Sequence, residues 1–497
     1  MHHLSVKIRG GLAAAMLTAL AGGWAVPALA QTPGLAPAAP AEKKVKDQGE
    51  YDIFNQVNVD IQANNFAKAI TDLDTWKQKY PGSDFKDDRS VLYVQAYAGS
   101  NQPAKAIDEA GLLIAKGLKT VLNDPKSGPG QQLKVLVTTA ATINQVPAPT
   151  ADELATAAKA AQQLLDYGKP EGATEAAWAT ARVQLQAIAK GTLLYIAMKP
   201  GMAAMRVAGP AAAAAIQASK QQPPDAALIA KNRAAADAAY GTAEAAFLAA
   251  LQQYPDSSQI AYQLGASELG QQITSPAKIS LGLYEIARAV SIDPAKSDFA
   301  DASARTQADD YLKRAYVRYH GADDGLDQLK QQAVAAPVPP ADFHILSVSE
   351  IIAKQQEAFA KQYPDLALWM NIKAQLVDAN GQQYFETQLK DAQVPKLKGI
   401  LVDAKPACHS KELLVAVPLP DAKPPFVAEI ALKLDTPLTG KADQNVELTW
   451  TDGQPSAFSR DPFLLTIDVE KAKISGLKVT PCAPPPVVHH PAAKKKA

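Results

Sequence analysis

The chain has little of what an active site is usually built from. Two cysteines in 497 residues exclude a disulfide-dense miniature scaffold and a four-cysteine metal site. Neither sign of charge predominates: 50 Lys and Arg balance 50 Asp and Glu, for a formal net charge of zero. Proteins that grip nucleic acid carry a basic face, so no nucleic-acid partner is expected. Absent too are a Gly-x-Ser-x-Gly elbow, a His-Glu-x-x-His helix, a phosphate-cradling glycine loop with Lys-Ser/Thr, and a Cys-x-x-Cys pair. No catalytic residue, cofactor site or metal ligand is therefore assigned. The one local gathering of histidine and carboxylates is YHGADDG, with His320, Asp323 and Asp324. A helix ending at Gly321 followed by capping Asp residues explains the same letters, and that is the preferred reading.

What is there begins at the N-terminus. Lys7 and Arg9 precede an Ala- and Leu-rich stretch from Gly11 to Val26, and Pro27 leads into Ala28-Leu29-Ala30 before Gln31. That order is the signature of a cleavable secretory signal peptide over residues 1–30, with cleavage after Ala30. The competing transmembrane anchor needs roughly 20 apolar residues, and this stretch offers about 16. A released periplasmic or secreted protein is expected, with no membrane-spanning segment after cleavage. In an oxidising compartment an even pair of cysteines tends to join, so Cys408 and Cys482 are expected to form a disulfide, in preference to a reactive or metal-binding thiol beside His409, since a lone Cys-His dipeptide lacks the several spaced ligands of a metal site. Closing a loop of about 75 residues stabilises a fold by roughly 4 kcal/mol in the chain-entropy picture.

Composition then divides the chain. Residues 31–48 mix Pro, Ala and charge without period, as a flexible linker does. Residues 49–335 are rich in Ala, Gln, Leu and Lys, good helix formers. APVPPA opens a Pro-rich linker with a short helix over 336–365. From 366 to 482 runs such as LKGILVDA, ELLVAVPL, VAEIALKL, NVELTW and FLLTIDV alternate apolar and polar positions between turn residues, which predicts a β domain. The tail 483–497 holds too few packable side chains to fold.

The helical half repeats itself. Phe66, Ala69, Leu73 and Pro81 in NNFAKAITDLDTWKQKYPGS recur in kind and spacing as Tyr240, Ala243, Phe247 and Pro255 in AAYGTAEAAFLAALQQYPDS. An aromatic closes the turn between antiparallel helices, a small residue lets backbones approach, and Pro ends the second helix. Tyr93, Tyr97, Ala106 and Leu113 fit the pattern less closely, with Pro103 in place of the turn aromatic. Leu264-Gly265, Ala289 and Pro294 fit with extra residues between the helices. These segments resemble tetratricopeptide repeats, units of about 34 residues built as helix-turn-helix. Residues 120–225 read as degenerate repeats, against the alternative of an irregular α-bundle.

The resemblance implies a stacked α-helical solenoid whose concave face binds extended peptides or protein partners. Carried onto this chain, it places Asn58, Gln62, Gln95, Asn232, Gln259 and Tyr262 toward the groove. The β region is expected to form a small antiparallel barrel or sandwich. Its strand order resembles an oligonucleotide/oligosaccharide-binding barrel; Trp450, Phe458 and Phe463 are candidates for a stacking platform, but aromatics in strands more often fill the core, and that is the preferred reading. The fold class is thus multidomain, α then β. The expected function is a non-enzymatic scaffold for a protein or peptide partner in the cell envelope. The alternative is an envelope-polymer hydrolase or carbohydrate-binding protein with a site at the helical/β junction.

Overall fold

The computed structural model of the chain describes residues 43–482. The expected signal peptide, most of the linker and the tail lie outside the described residues. The chain divides into two units that meet in sequence at Ile345 and Leu346. Among the described residues no helix is long and apolar enough to cross a membrane.

The first unit is helical, and its opening hairpin sets a pattern. Helix α1 (Gln48–Gln62) starts where the Asp47 carboxylate accepts the Glu50 backbone N–H at 2.9 Å, satisfying one of the unpaired donors of the first turn. A three-residue link follows, with Asn64 at φ 60°, a left-handed conformation that Asn tolerates. Helix α2 (Phe66–Lys79) buries Ala69, Leu73 and Trp76, the spacing of one helical face. It stops at Tyr80, whose N–H reaches Trp76 O at 2.9 Å, because Pro81 has no N–H to continue the ladder. Helices α3 (Lys86–Gly99) and α4 (Pro103–Lys116) repeat the device, with Asn101 at φ 58° in the link and Pro103 opening α4. The two hairpins meet where the Phe66 ring lies over Gly99: a Cβ there would stand 2.5 Å from the ring.

The same joint returns far along the chain. Helix α5 (Ala226–Gln253) buries Ala243, Phe247 and Ala250 and ends at Tyr254-Pro255. Its Tyr240 ring lies over Gly270, the last residue of α6 (Ser258–Gly270), where a Cβ would come within 2.6 Å, but Tyr240 stands inside the continuous helix and closes no turn, which corrects that part of the expected repeat. Between the two occurrences the pattern changes. After helices Gly128–Thr142 and Ala151–Leu165 comes one 45-residue helix, Glu175–Ser219, longer than a whole two-helix module, with Pro200 and Pro210 inside it. Each internal Pro removes a backbone bond, a cost of about 3 kcal/mol. Burial offsets it: Gly201, Ala208 and Ala215 recur at heptad spacing as a seam of small buried residues. Gly201 admits the Phe247 ring of α5 so closely that a Cβ would lie 2.5 Å away. The Ala-rich stretch is packed through its smallness.

Helix α6 packs on α7 (Lys278–Ser291) more tightly still. Gly265 and Gly282 face each other, and a Cβ on either would come within 2.7 Å of the other's carbonyl oxygen. Helices α8 (Ala302–His320) and α9 (Leu326–Ala335) close this end around Leu283, Tyr284, Ile286, Leu312 and Leu329. Helix α8 stops at Gly321, φ 101°, as expected for a glycine cap, but α9 begins at Gly325 without a side-chain cap from either Asp.

The second unit is not β from residue 366 onward. Ser347 and Glu350 form a capping box for α10 (Val348–Gln362), which ends at a third Tyr-Pro, Tyr363-Pro364. Helix α11 (Pro364–Val377) buries Trp369, Ile372 and Leu376, and helical turns continue to Leu389. The first strand begins only at Val394. The expected boundary is corrected by periodicity: Trp369, Ile372 and Leu376 repeat at helical, not strand, spacing.

Five strands then close into a barrel: β1 (Val394–Lys405), β2 (Glu412–Ala416), β3 (Ile430–Leu434), β4 (Glu447–Arg460) and β5 (Phe463–Val469). The order is β1-β2-β3-β5-β4, and β4 pairs back onto β1. Long β1 and β4 make closure possible, each bending to serve two neighbours. In β1 the pairing passes from β4 (Leu397↔Trp450) to β2 (Leu401↔Val415), with an irregularity between Leu401 and Asp403. All these neighbours are antiparallel except β3 and β5, which run parallel, Leu432↔Ile467. The expectation of a purely antiparallel domain is corrected there. Leu397, Leu413, Val415, Leu432, Trp450, Leu465 and Ile467 fill the interior.

Candidate functional site

Of the six residues assigned to a groove, three lie on the opening hairpins. Asn58 of α1 is half-buried and its amide donates to Phe54 O at 2.8 Å, Gln62 is exposed, and the Gln95 amide of α3 donates to Val91 O at 3.4 Å. Helix α1 touches α3 as well as α2. Tyr51, Phe54, Asn58 and Gln62 are spaced by three, four and four residues, so they form one stripe along α1. Tyr51 is 47% exposed. At the start of the stripe lies a hollow of about 340 Å³ lined by Lys43, Lys44, Val45, Tyr51, Phe54 and Phe85. Its floor is aromatic and rigid, because Phe54 packs edge-on to Trp76 at 5.7 Å and against Phe85 at 6.1 Å.

The other three are engaged differently. Asn232 lies half-buried on α5. Gln259 is held by the loop after α7: its N–H donates to Asp298 Oδ1 at 2.9 Å and its amide to the Asp298 carbonyl. Tyr262 packs against Phe299 and Tyr311, and burial pushes its hydroxyl up to about 12. Gln259 and Tyr262 therefore bind this chain's own elements.

A second hollow, about 390 Å³, is lined by Asp309, Asp310, Lys313, Asp323, Leu326, Asp327 and Lys330. Its two lysines are paired: Lys330 with Asp309 at 2.5 Å and Lys313 with Asp323 at 3.1 Å, which holds the Asp323 carboxyl below its usual range. His320 stands 3.4 Å from Asp324.

Sequence reasoning missed a pair of buried carboxylates. Glu268 of α6 and Glu285 of α7 are brought under cover by the Gly265/Gly282 approach. Burial, then the charges of Glu285 and Glu244, push Glu268 up to about 8, with Lys278 pulling the other way. Burial lifts Glu285 to about 7 against the pull of Arg288, 3.5 Å away. One carboxylate oxygen of Glu268 has no hydrogen-bond partner in the structure. Neither Glu lines either hollow.

In the barrel the three aromatics are spent on packing. Trp450 is fully buried, Phe458 lies against Phe385 at 5.1 Å, and Phe463 against Trp369 at 6.1 Å with Lys373 over its ring. They serve the core, the reading preferred over a stacking platform. Cys408 and Cys482 stand at disulfide distance, with Cα atoms 6.1 Å apart. No family model matches this chain, and no curated protein matches it.

Proposed function

We propose that the chain is an exported, non-enzymatic adaptor: residues 1–30 direct it to the periplasm or beyond, and the first unit binds an extended segment of a protein partner in the cell envelope. The observation that carries this reading is the α1 stripe, which starts with exposed Tyr51 at a rigid aromatic hollow and continues along the helix to the amides of Asn58 and Gln62. Amides pair with the backbone of an extended peptide, and the hollow takes one apolar side chain between Lys43 and Lys44. The tetratricopeptide-like reading of the unit draws support from the repeated aromatic-on-glycine joint, Phe66 on Gly99 and Tyr240 on Gly270. The 45-residue helix is its departure from a regular 34-residue array. For the second unit, the barrel order β1-β2-β3-β5-β4 with the parallel β3–β5 closure supports an oligonucleotide/oligosaccharide-binding type of barrel.

Crosslinking and capture from the native envelope tests the proposal. One stoichiometric partner is expected, released when Asn58, Gln62 and Gln95 are changed together to Ala while the helical signal stays intact. An empty capture, or a partner indifferent to the triple change, overturns it.

A further inference from the structure

Cys408, His409 and Cys482 come from stretches far apart in sequence, yet one potential ligand atom from each lies within 4.8 Å of the others. The loop between β1 and β2 presents the first two. His409 sits there at φ 55°, held by its backbone N–H donating to Gly440 O at 3.0 Å, while Ser410 Oγ donates to Pro406 O at 2.6 Å. A short two-stranded ribbon, Lys441–Ala442 paired with Val479–Thr480, delivers Cys482 to the same place. Gly440 is required at its edge, since a Cβ would run into Thr480 O.

The imidazole is oriented as well as placed. His409 Nδ1 lies 3.1 Å from Leu438 O. A carbonyl only accepts, so this bond puts the ring hydrogen on Nδ1 and leaves the Nε2 lone pair free. Nε2 lies 3.8 Å from Cys482 Sγ. A histidine pinned through Nδ1 by a backbone carbonyl, with Nε2 turned toward sulfur, is the arrangement that orients metal ligands. In a tetrahedron with metal–sulfur bonds of about 2.3 Å and metal–nitrogen bonds of about 2.0 Å, sulfur–nitrogen edges are about 3.5 Å and sulfur–sulfur edges about 3.8 Å. The His409–Cys482 separation is already close to such an edge. The sulfurs have to part, by roughly 2 Å from bonding distance, and Cys408 Sγ, which lies within 4.8 Å of the imidazole nitrogen, has to settle at a similar edge.

We propose that reduction of the Cys408–Cys482 pair opens a site for one soft d10 cation, Zn2+ or Cu+, held by Cys408 Sγ, Cys482 Sγ and His409 Nε2. The sulfur–sulfur bond breaks and two thiols form: a dithiol supplies two electrons and two hydrogens and becomes a disulfide, or a phosphine supplies the electrons and takes the oxygen of one water, whose hydrogens go to the two sulfurs. The cation then displaces the two thiol protons to solvent, and His409 contributes its free lone pair. Two thiolates with one imidazole select thiophilic cations over Mg2+ or Ca2+, which require oxygen ligands. Zn2+ would keep a fourth position for water or an outside ligand, while Cu+ is satisfied by three. The pair then acts as a gate: oxidised, it closes the site covalently; reduced, it exposes it.

The test uses the full chain, reduced anaerobically with a phosphine that is then removed, and titrated with Zn2+ or Cu+ against a chromophoric chelator. One equivalent is expected to bind at least about 100-fold more tightly than to the oxidised chain, which retains every histidine and so controls for His489 and His490. Co2+ should give thiolate-to-metal charge-transfer bands. His409→Ala keeps both cysteines and should weaken binding by roughly 10- to 100-fold with an altered Co2+ spectrum. Cys482→Ser should remove the tight site. Preference for either cation supports the proposal and tells which is held. Equal affinity of the reduced and oxidised chains overturns it, as does a His409→Ala variant that binds like the parent. So does loss of the β signal on reduction before metal is added, since the site needs the folded loop.

Discussion

Glu268→Gln tests whether the α6–α7 contact stores a proton. The carboxyl is lifted from an ordinary value near 4.5 to about 8 by burial and by the facing charges of Glu285 from α7 and Glu244 from α5, against Lys278; Arg288 faces Glu285. Since the folded value lies above the unfolded one, the folded state holds more protons between the two. The stabilisation is therefore complete below about pH 4.5 and is lost as pH rises through 8. Every tenfold difference in proton affinity between folded and unfolded chain corresponds to about 1.4 kcal/mol. Two linked titrations at 4.5 and 8 give a loss of about 2–3 kcal/mol between pH 6 and pH 9. Gln has the same shape and no charge to bury. Relative to the parent, the variant should gain about 2–3 kcal/mol on going from pH 6 to pH 9, roughly 5 °C in the midpoint of the first unit. A smaller slope of the same sign should remain from Glu285. Thermal unfolding by circular dichroism across that range reads it. A variant whose midpoint follows the parent at every pH would refute the reasoning, because the carboxyl would then be ionising in the fold without cost.

Other consequences follow from packing. Gly265→Ala drives a Cβ against the Gly282 carbonyl, which is backbone and cannot yield, whereas Gly99→Ala meets the far end of the Phe66 ring; urea unfolding should show about 2–3 kcal/mol lost for the first and clearly less for the second. Trp450→Ala should cost the second unit about 3–5 kcal/mol. Trp450→Phe should cost much less, because the indole Nε1 is buried without a hydrogen-bond partner; a glycan-binding surface would instead lose binding without losing stability. Thr150→Ala removes the capping box of helix Ala151–Leu165, in which the Glu153 backbone donates to Thr150 Oγ1 at 3.2 Å; about 1 kcal/mol should be lost, read as a lower urea midpoint with an unchanged slope.

The Tyr-Pro helix stops are legible as letters, and two of the three stand inside the repeat-like segments that expose them. The third, Tyr363-Pro364, stands at the end of the short helix expected over 336–365; what the strand-like runs beyond it mask is α11. The stripe Ala69, Leu73, Trp76 and its counterpart Ala243, Phe247, Ala250 are equally open to inspection. Their glycine partners are not: Gly99 and Gly270 are distinguished from other glycines only by the aromatic ring that lands on them. For the proposed groove, helical spacing is enough to align Asn58 with Gln62. It cannot say that Gln259 is taken by Asp298 or Tyr262 by Phe299, because those partners arrive from another loop.

Helix starts, helix stops, buried stripes and the alternation of the barrel strands belong to the sequence by itself, since they obey steric and hydrogen-bonding rules acting within about four residues. Only the tertiary structure decided that β3 and β5 run parallel, that α11 covers the start of the β unit, that Glu268 and Glu285 share a buried space, and that His409 turns Nε2 toward Cys482. Each depends on which distant segments close on one another. That choice is made by packing many residues at once, and no local pattern carries it.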